Sequence, residues 1–253
     1  MRTGLVQLDI AWEDVAENHR RAERRVQEAA ALGAQLVVLP EMFACGFSMG
    51  AAPEAPGGPT ESFLAELAQG LGVHVVAGVP LLLGERKSNC AVWTAPDGSV
   101  ERYAKIHPFS FAREHEHYLP GSRVVTWDIG GLRVSPQVCY DLRFPEPFRL
   151  AAADTDAFVV IANWPDRRRA HWQTLLRARA IENQAFVAGV NRVGDGDGLH
   201  YAGDSAIVSP WGEALVGGAE QEAVLVADLD PAAIRAARLA FPALRDRRDS
   251  YTR

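Results

Sequence analysis

Cysteine is scarce in this sequence: there are three, Cys45, Cys90 and Cys139. No two are spaced as C-x-x-C, and an odd number leaves at least one thiol unpaired within a chain. That excludes a disulfide framework and fits a reducing, cytoplasmic setting. Long apolar runs are missing too: no stretch approaches the ~18 residues that span a bilayer. The opening Met1-Arg-Thr-Gly-Leu-Val reaches Asp9 too soon for a signal peptide. Like charges never run beyond Arg167-Arg168-Arg169, and the formal net charge is -6, so neither nucleic acid nor a membrane surface is expected as a partner. There is no internal repeat and no convincing linker. At 253 residues the chain can bury a sizeable core as one α/β domain over residues 1–253.

Hydrophobic periodicity supplies the elements. Leu5 to Ile10 alternates like a strand. Asp14-x-x-Glu17 reads as a capping box, followed by a helix with Val15, Ala22, Val26 and Ala29 on its apolar stripe and Gly33 at its close. Leu36 to Leu39 is a strand of the kind buried on both faces, running into Pro40-Glu41. After a loop over Ala51 to Pro59, Thr60 caps a helix through Leu71, and Val73 to Val79 is a strand. Asn89 to Thr94 pairs with Val100 to Ala104 across Pro96-Asp97-Gly98-Ser99, and Lys105 closes that hairpin.

From Phe109 to Ser122 the chain is polar and aromatic. Its Glu114-His115-Glu116-His117 suggests metal ligands, yet no second cluster with ligand spacing exists, so no metal is expected. Leu132 to Val138 is a strand that delivers Cys139, ahead of a helix from Glu146 to Ala153. Ala157 to Ala162 is a buried strand ending in Asn163-Trp164-Pro165, and a helix from His171 to Asn183 and a strand from Gln184 to Asn191 follow. Gly194 to Gly198 lacks both the downstream acid of an EF-hand and the Gly-Lys-Ser/Thr of a phosphate loop, and reads as a tight connector. Strands over Asp204 to Ser209, Ala214 to Val216 and Ala223 to Leu229, a helix from Pro231 to Leu239 and an Arg-rich tail complete the chain.

Glu41, Lys105 and Cys139 each close a strand, the end at which α/β proteins place their sites. A cysteine ahead of a helix N-terminus is well placed to act as a thiolate; the bland alternative is a small buried hydrophobe. A thiol nucleophile needs a base and a positive charge beside it. Glu41 can be the base and Lys105 the charge, although each is also an ordinary residue for a strand end. An attacked carbonyl would place its oxygen between the Lys105 ammonium and the backbone N–H of Tyr140.

Val38-Leu-Pro-Glu41, Tyr103-Ala-Lys105-Ile-His and Val138-Cys139-Tyr-Asp-Leu-Arg143-Phe-Pro resemble the three motifs of the nitrilase superfamily of carbon–nitrogen hydrolases, in order, with the likeness running from about Leu5 to Leu229. The resemblance implies a four-layer α-β-β-α sandwich, usually a homodimer, and a Glu-Lys-Cys triad. In such a triad Cys139 forms a thioester, Glu41 relays protons and Lys105 stabilises tetrahedral intermediates, without a cofactor. Many members carry a second glutamate that orients the lysine and the attacking water. Glu114, seven residues before Gly121, matches it better than Glu116. The segment from residue 230 to 253 is expected as a C-terminal helix and tail at a dimer interface.

Cys139-Tyr-Asp-Leu-Arg-Phe-Pro, Ala162-Asn-Trp-Pro, Ala178-Arg-Ala-Ile-Glu-Asn-Gln and Gly189-Val-Asn-Arg-Val-Gly look like the ω-amidase branch. That likeness implies hydrolysis of the terminal amide of 2-oxoglutaramate or 2-oxosuccinamate to ammonia and a dicarboxylic oxo acid. Arg143 suits such a substrate, since its planar fork can grip a carboxylate through two charge-assisted hydrogen bonds; its alternative is an ion pair with Glu146. Phe43, Tyr118 and Trp164 are candidate pocket walls, each equally able to be core. Other members of the superfamily hydrolyse N-carbamoyl amino acids, deaminated glutathione or nitriles. Outside catalysis stand a silent binding protein, which the intact triad argues against, and a redox-sensing thiol with Cys45 nearby.

Overall fold

The computed structural model of the protein describes residues 1–248. In chain order its first half contains β1 (Arg2–Gln7), α1 (Val15–Ala31), β2 (Leu36–Val38), α2 (Pro59–Leu71), β3 (His74–Leu83), β4 (Arg86–Thr94), β5 (Val100–Ala104) and β6 (Trp127–Ile129). The second half contains β7 (Leu132–Val138), α3 (Pro145–Ala151), β8 (Ala157–Ala162), α4 (Arg169–Asn183), β9 (Phe186–Asn191), β10 (Val193–Gly196), β11 (Leu199–Val208), β12 (Ala214–Ala219), β13 (Ala223–Asp228) and α5 (Pro231–Ala240).

These strands form two sheets. One has the order β13-β1-β2-β3-β4-β5; the other runs β10-β11-β9-β8-β7-β6, with β12 added against β11. The centres are parallel, β1-β2-β3 in the first sheet and β7-β8-β9 in the second. A strand's side chains alternate between faces, and here the two faces meet different partners. Leu5, Leu36, Val38 and Val76 join Val134, Val138 and Val160 of the other sheet in one core. Val6, Val37 and Val75 turn the other way, onto Ala22, Val26 and Leu64 of α1 and α2. With Phe148 of α3 against Phe158, and Trp172 and Leu176 of α4 beside Gly189, the second sheet is covered as well. The result is the α-β-β-α sandwich, in which the C-terminal ends of β2 and β7 lie between two buried layers.

Local differences from the expected elements have physical causes. Asp14 caps α1 by accepting from the N–H of Glu17 at 3.1 Å, but the Glu17 carboxylate pairs with Arg20 and Arg21 instead of returning to the cap. Val15 is exposed and Asn18 takes the buried place, because the Asn18 amide satisfies Ala11 and Ala44 backbone groups at 2.7–2.8 Å. Gly58 with Pro59 starts α2, and Thr60 in its first turn bonds Glu54. The Gly194 to Gly198 connector is a β-hairpin: Gly196 pairs with Leu199 across Asp197-Gly198, both at positive φ (48° and 69°), the Asp-Gly signature of a type I′ turn. Residues 249–253 of the expected tail lie outside the described residues. Helix α5 docks on its own chain through buried Ile234 and Ala237 and through Arg238, which donates to the carbonyls of Gln184, Ala152 and Thr155.

Candidate active site

Three turns at strand ends build the site. Beyond β2, Leu39 N–H donates to Val76, Gly78 N–H donates to the Pro40 carbonyl at 3.0 Å, and Phe43 N–H donates to the Gly78 carbonyl at 3.2 Å. The Glu41 turn is thus clasped onto β3 at Gly78. A Cβ there would collide with the backbone of Met42 and Glu41, so glycine is what lets Glu41 come this close. Met42 itself lies in the left-handed region (φ 45°). Lys105 follows β5 directly, its N–H donating to Asn89 and its carbonyl accepting from Gly121. Cys139 follows β7 at φ 46°, a conformation non-glycine residues seldom adopt and that clusters at functional sites. It opens a 3-10 turn, Cys139–Arg143, whose first N–H groups, that of Tyr140 among them, have no partner within the turn. Buried Asp141 ties this turn to the neighbouring segment: it accepts from Tyr103 Oη, from the backbone and Nδ1 of His107, and from Val138 N–H, at 2.8–3.1 Å.

At the centre, Lys105 Nζ donates to Glu41 Oε1 at 2.9 Å and to Glu114 Oε2 and Oε1 at 2.9 and 3.1 Å. All three side chains are fully buried. Asn89 Nδ2 donates to both carboxylates, at 2.8 and 2.9 Å. Asn163 N–H donates to the other Glu41 oxygen at 2.9 Å, and the Cys139 thiol donates to the Asn163 carbonyl at 3.9 Å. Burial alone would discharge Lys105, but Glu114 and Glu41 outweigh it and hold the ammonium well above the ordinary lysine range. For Cys139 burial and then the Glu41 charge push the thiol well up, and Lys105 only partly offsets them. Such a group can move a proton at Glu41 and hold an anion between Lys105 and the Tyr140 N–H.

Cys139 and Tyr140 open onto a cavity of about 380 Å³, walled by Trp164, Phe47, Phe109 and Tyr201 and bordered by Arg143, Arg167 and Arg168. Phe43 and Tyr118 do not line it. Phe43 points into the core beneath the helices, stacked with His19 and Phe63, because its N–H bond to Gly78 turns the side chain away. Tyr118 packs with Met42 and Cys45 and donates to the Ser48 carbonyl at 2.7 Å. The aromatic that the Glu41 segment does supply is Phe47, whose ring lies 5.2 Å from Lys105 Nζ. Trp164 is in the wall, with the Arg143 guanidinium 5.0 Å over its ring. Arg143 makes no ion pair with Glu146; its Nη2 meets His171 Nδ1 at 3.0 Å. Glu116 faces out on Arg113, and His115 and His117 are exposed, so of that run only Glu114 turns inward. Cys45 is buried, its thiol pushed up to about 12 chiefly by desolvation, which makes it a poor redox partner.

The family model for carbon–nitrogen hydrolases matches residues 2–239. The chain is 40% identical over 249 residues to the omega-amidase YafV of Escherichia coli (strain K12), covering 97% of this chain and 96% of that protein. The chain belongs to the carbon–nitrogen hydrolase family. This carbon–nitrogen hydrolase is also 33% identical over 253 residues to the 2-oxoglutaramate amidase of Bacillus subtilis (strain 168), covering 97% of each chain. A CN-hydrolase superfamily protein from Xanthomonas campestris, whose crystal structure has an arsenic adduct in the active site, superposes with a TM-score of 0.94 at 40% identity, over 100% of this chain and 98% of that one.

Several residues of this hydrolase's site carry only weak marks in the sequence. Asn89 and Asn163 are single amides, each readable as a turn or strand polar residue, and Gly78 sits inside an apolar strand. An isolated glycine in a strand is a signal of close backbone approach, and here that signal was present. No helix among the described residues is long and apolar enough to cross a membrane.

Proposed function

We propose that this carbon–nitrogen hydrolase is an ω-amidase, cleaving the terminal amide of 2-oxoglutaramate or 2-oxosuccinamate. The observation that carries the reading is the buried Glu41–Lys105–Glu114 group beside Cys139, which itself lines a cavity bordered by guanidiniums. In this reading Glu41 takes the Cys139 proton as Sγ attacks the amide carbon. The oxyanion lies between Lys105 Nζ and the Tyr140 N–H. Glu41 returns the proton to the leaving nitrogen, ammonia departs, and a thioester remains. Water, deprotonated at Glu41 and oriented with Glu114, then attacks the thioester, and the acid leaves as the thiol is restored. Arg143 holds the substrate's carboxylate.

The test is steady-state kinetics on 2-oxoglutaramate beside butyramide, a neutral amide of similar length. A preference of about 10²-fold or more in kcat/KM for the acid amide is expected from charge-assisted contacts, and equal values would remove the reading.

We further propose a single domain that pairs as a homodimer in the cytoplasm. The three free cysteines support the compartment. Exposed Leu239 and Phe241 at the end of α5 support a partner surface there. A monomer in sedimentation equilibrium would remove the pairing, and recovery of the protein outside the cytoplasm on cell fractionation would remove the compartment.

A further inference from the structure

We propose that the acid end of the substrate is gripped between two guanidiniums, Arg143 and Arg168, and that Arg168 is a specificity-determining residue of this enzyme. The inference rests on the ω-amidase reading above.

Half-buried arginines in this fold are, as a rule, matched with carboxylates. Arg102 pairs with Glu61 at 2.7 Å, Arg133 with Asp156 at 2.8 Å, and Arg169, next to Arg168 in the chain, with Asp204 and Glu220. Arg143 and Arg168 border the cavity and have no carboxylate partner among the described residues. Among the described residues, the Arg143 guanidinium hydrogen-bonds only the imidazole of His171 and lies over the face of Trp164. The Arg168 guanidinium lies 5.1 Å over Phe109 and makes no hydrogen bond among the described residues. Both thus rest on aromatic walls, Arg168 with its donor edge free and Arg143 with only Nη2 engaged, by His171, which is the arrangement that recognises a planar anion.

Trp164 fixes the pair. Its ring carries Arg143 and its indole N–H donates to the Arg168 carbonyl at 2.9 Å. Desolvation, then the like charge of Arg167, with Arg143 adding to it, lowers the Arg168 guanidinium from its ordinary range. A carboxylate seated there would relieve that repulsion. Glu13 and Asp197 also line the cavity and disfavour a carboxylate on their side, so the acid end is directed to the arginines.

The experiment compares kcat/KM on 2-oxoglutaramate with kcat/KM on butyramide for wild type, R168M and R168K. The readout is the ratio of the two, a quantity that general damage to the site does not move. R168M should lower that ratio by about 10- to 100-fold. R168K, which keeps the charge and loses the fork, should fall between. A large wild-type ratio that R168M leaves intact overturns the Arg168 assignment, and so does an R168K ratio equal to wild type if R168M does not fold. A wild-type ratio near one would instead remove the ω-amidase reading itself.

Discussion

Cys139→Ala lowers ammonia release from 2-oxoglutaramate by about 10⁴-fold or more, the scale on which loss of a nucleophile is felt when its partners remain. The thermal midpoint should move little, because alanine keeps an apolar side chain in the core and the thiol's hydrogen bond to the Asn163 carbonyl is long, at 3.9 Å. Residual turnover within tenfold of wild type would remove Cys139 from the reaction. The companion variant Glu41→Gln separates two ways of activating the thiol. Burial and the Glu41 charge push the thiol's pKa up; with Glu41 as the base during attack, Glu41→Gln should slow alkylation by iodoacetamide along with turnover. A resting thiolate held by Lys105 would show the opposite: neutralising Glu41 would lower the thiol's pKa and speed alkylation. Faster labelling of Glu41→Gln would therefore overturn the general-base assignment.

The second large effect is at the lysine. Lys105→Met leaves two buried carboxylates facing each other without the ammonium that compensates both. Breaking such a buried pair from one side costs about 3–5 kcal/mol of stability, and loss of an oxyanion donor lowers kcat by about 10²–10³-fold. Both are read on one protein, by urea denaturation and by ammonia release. The pH dependence has a definite sign. The folded pKa of Lys105 lies above its ordinary value of 10.5, so its contribution to stability is fully present below about 10.5 and is lost as pH rises through the folded pKa. That part of the alkaline decline should be missing in Lys105→Met. Glu114→Gln, which leaves the ammonium one full partner, should cost activity by about 10²-fold, whereas Glu116→Gln, on the exposed Arg113 pair, should stay within about twofold. A larger loss for Glu116→Gln than for Glu114→Gln would reverse the assignment of the second glutamate.

Much of the buried Glu41, Lys105 and Cys139 group is legible because it sits where short apolar strands stop, and strand ends are read from hydrophobic runs. Composition holds a further signal. The chain has two lysines, Lys87 and Lys105, against twenty-four arginines, so a lysine retained at a strand end is conspicuous. Side-chain direction in turns was the part that could not be read. Phe43 and Phe47 lie on one short segment, and which of them reaches the cavity depends on left-handed Met42 and on the clasp to Gly78, neither of which a pattern of hydrophobicity contains. The arginine run 167–169 shows the same limit from another side. As a string it is a solvated charge cluster, yet in the fold Arg169 is consumed by Asp204 and Glu220 while Arg168 faces the cavity. The Asp197-Gly198 turn, by contrast, was present in the residues as a hairpin signal and was read only as a connector.

The buried centre holds two acids to one base, and this imbalance bears on how turnover ends. A substrate amide is neutral where it meets Glu41 and Glu114, so it enters without opposing them. Hydrolysis puts a carboxylic acid at the same spot, and once its proton passes to bulk water the product is a third negative charge against a single ammonium in a medium of low polarity. The same buried acids therefore disfavour a bound product anion. The two buried acids thus weaken product binding and speed release, while the equilibrium between amide and acid stays that of the free molecules.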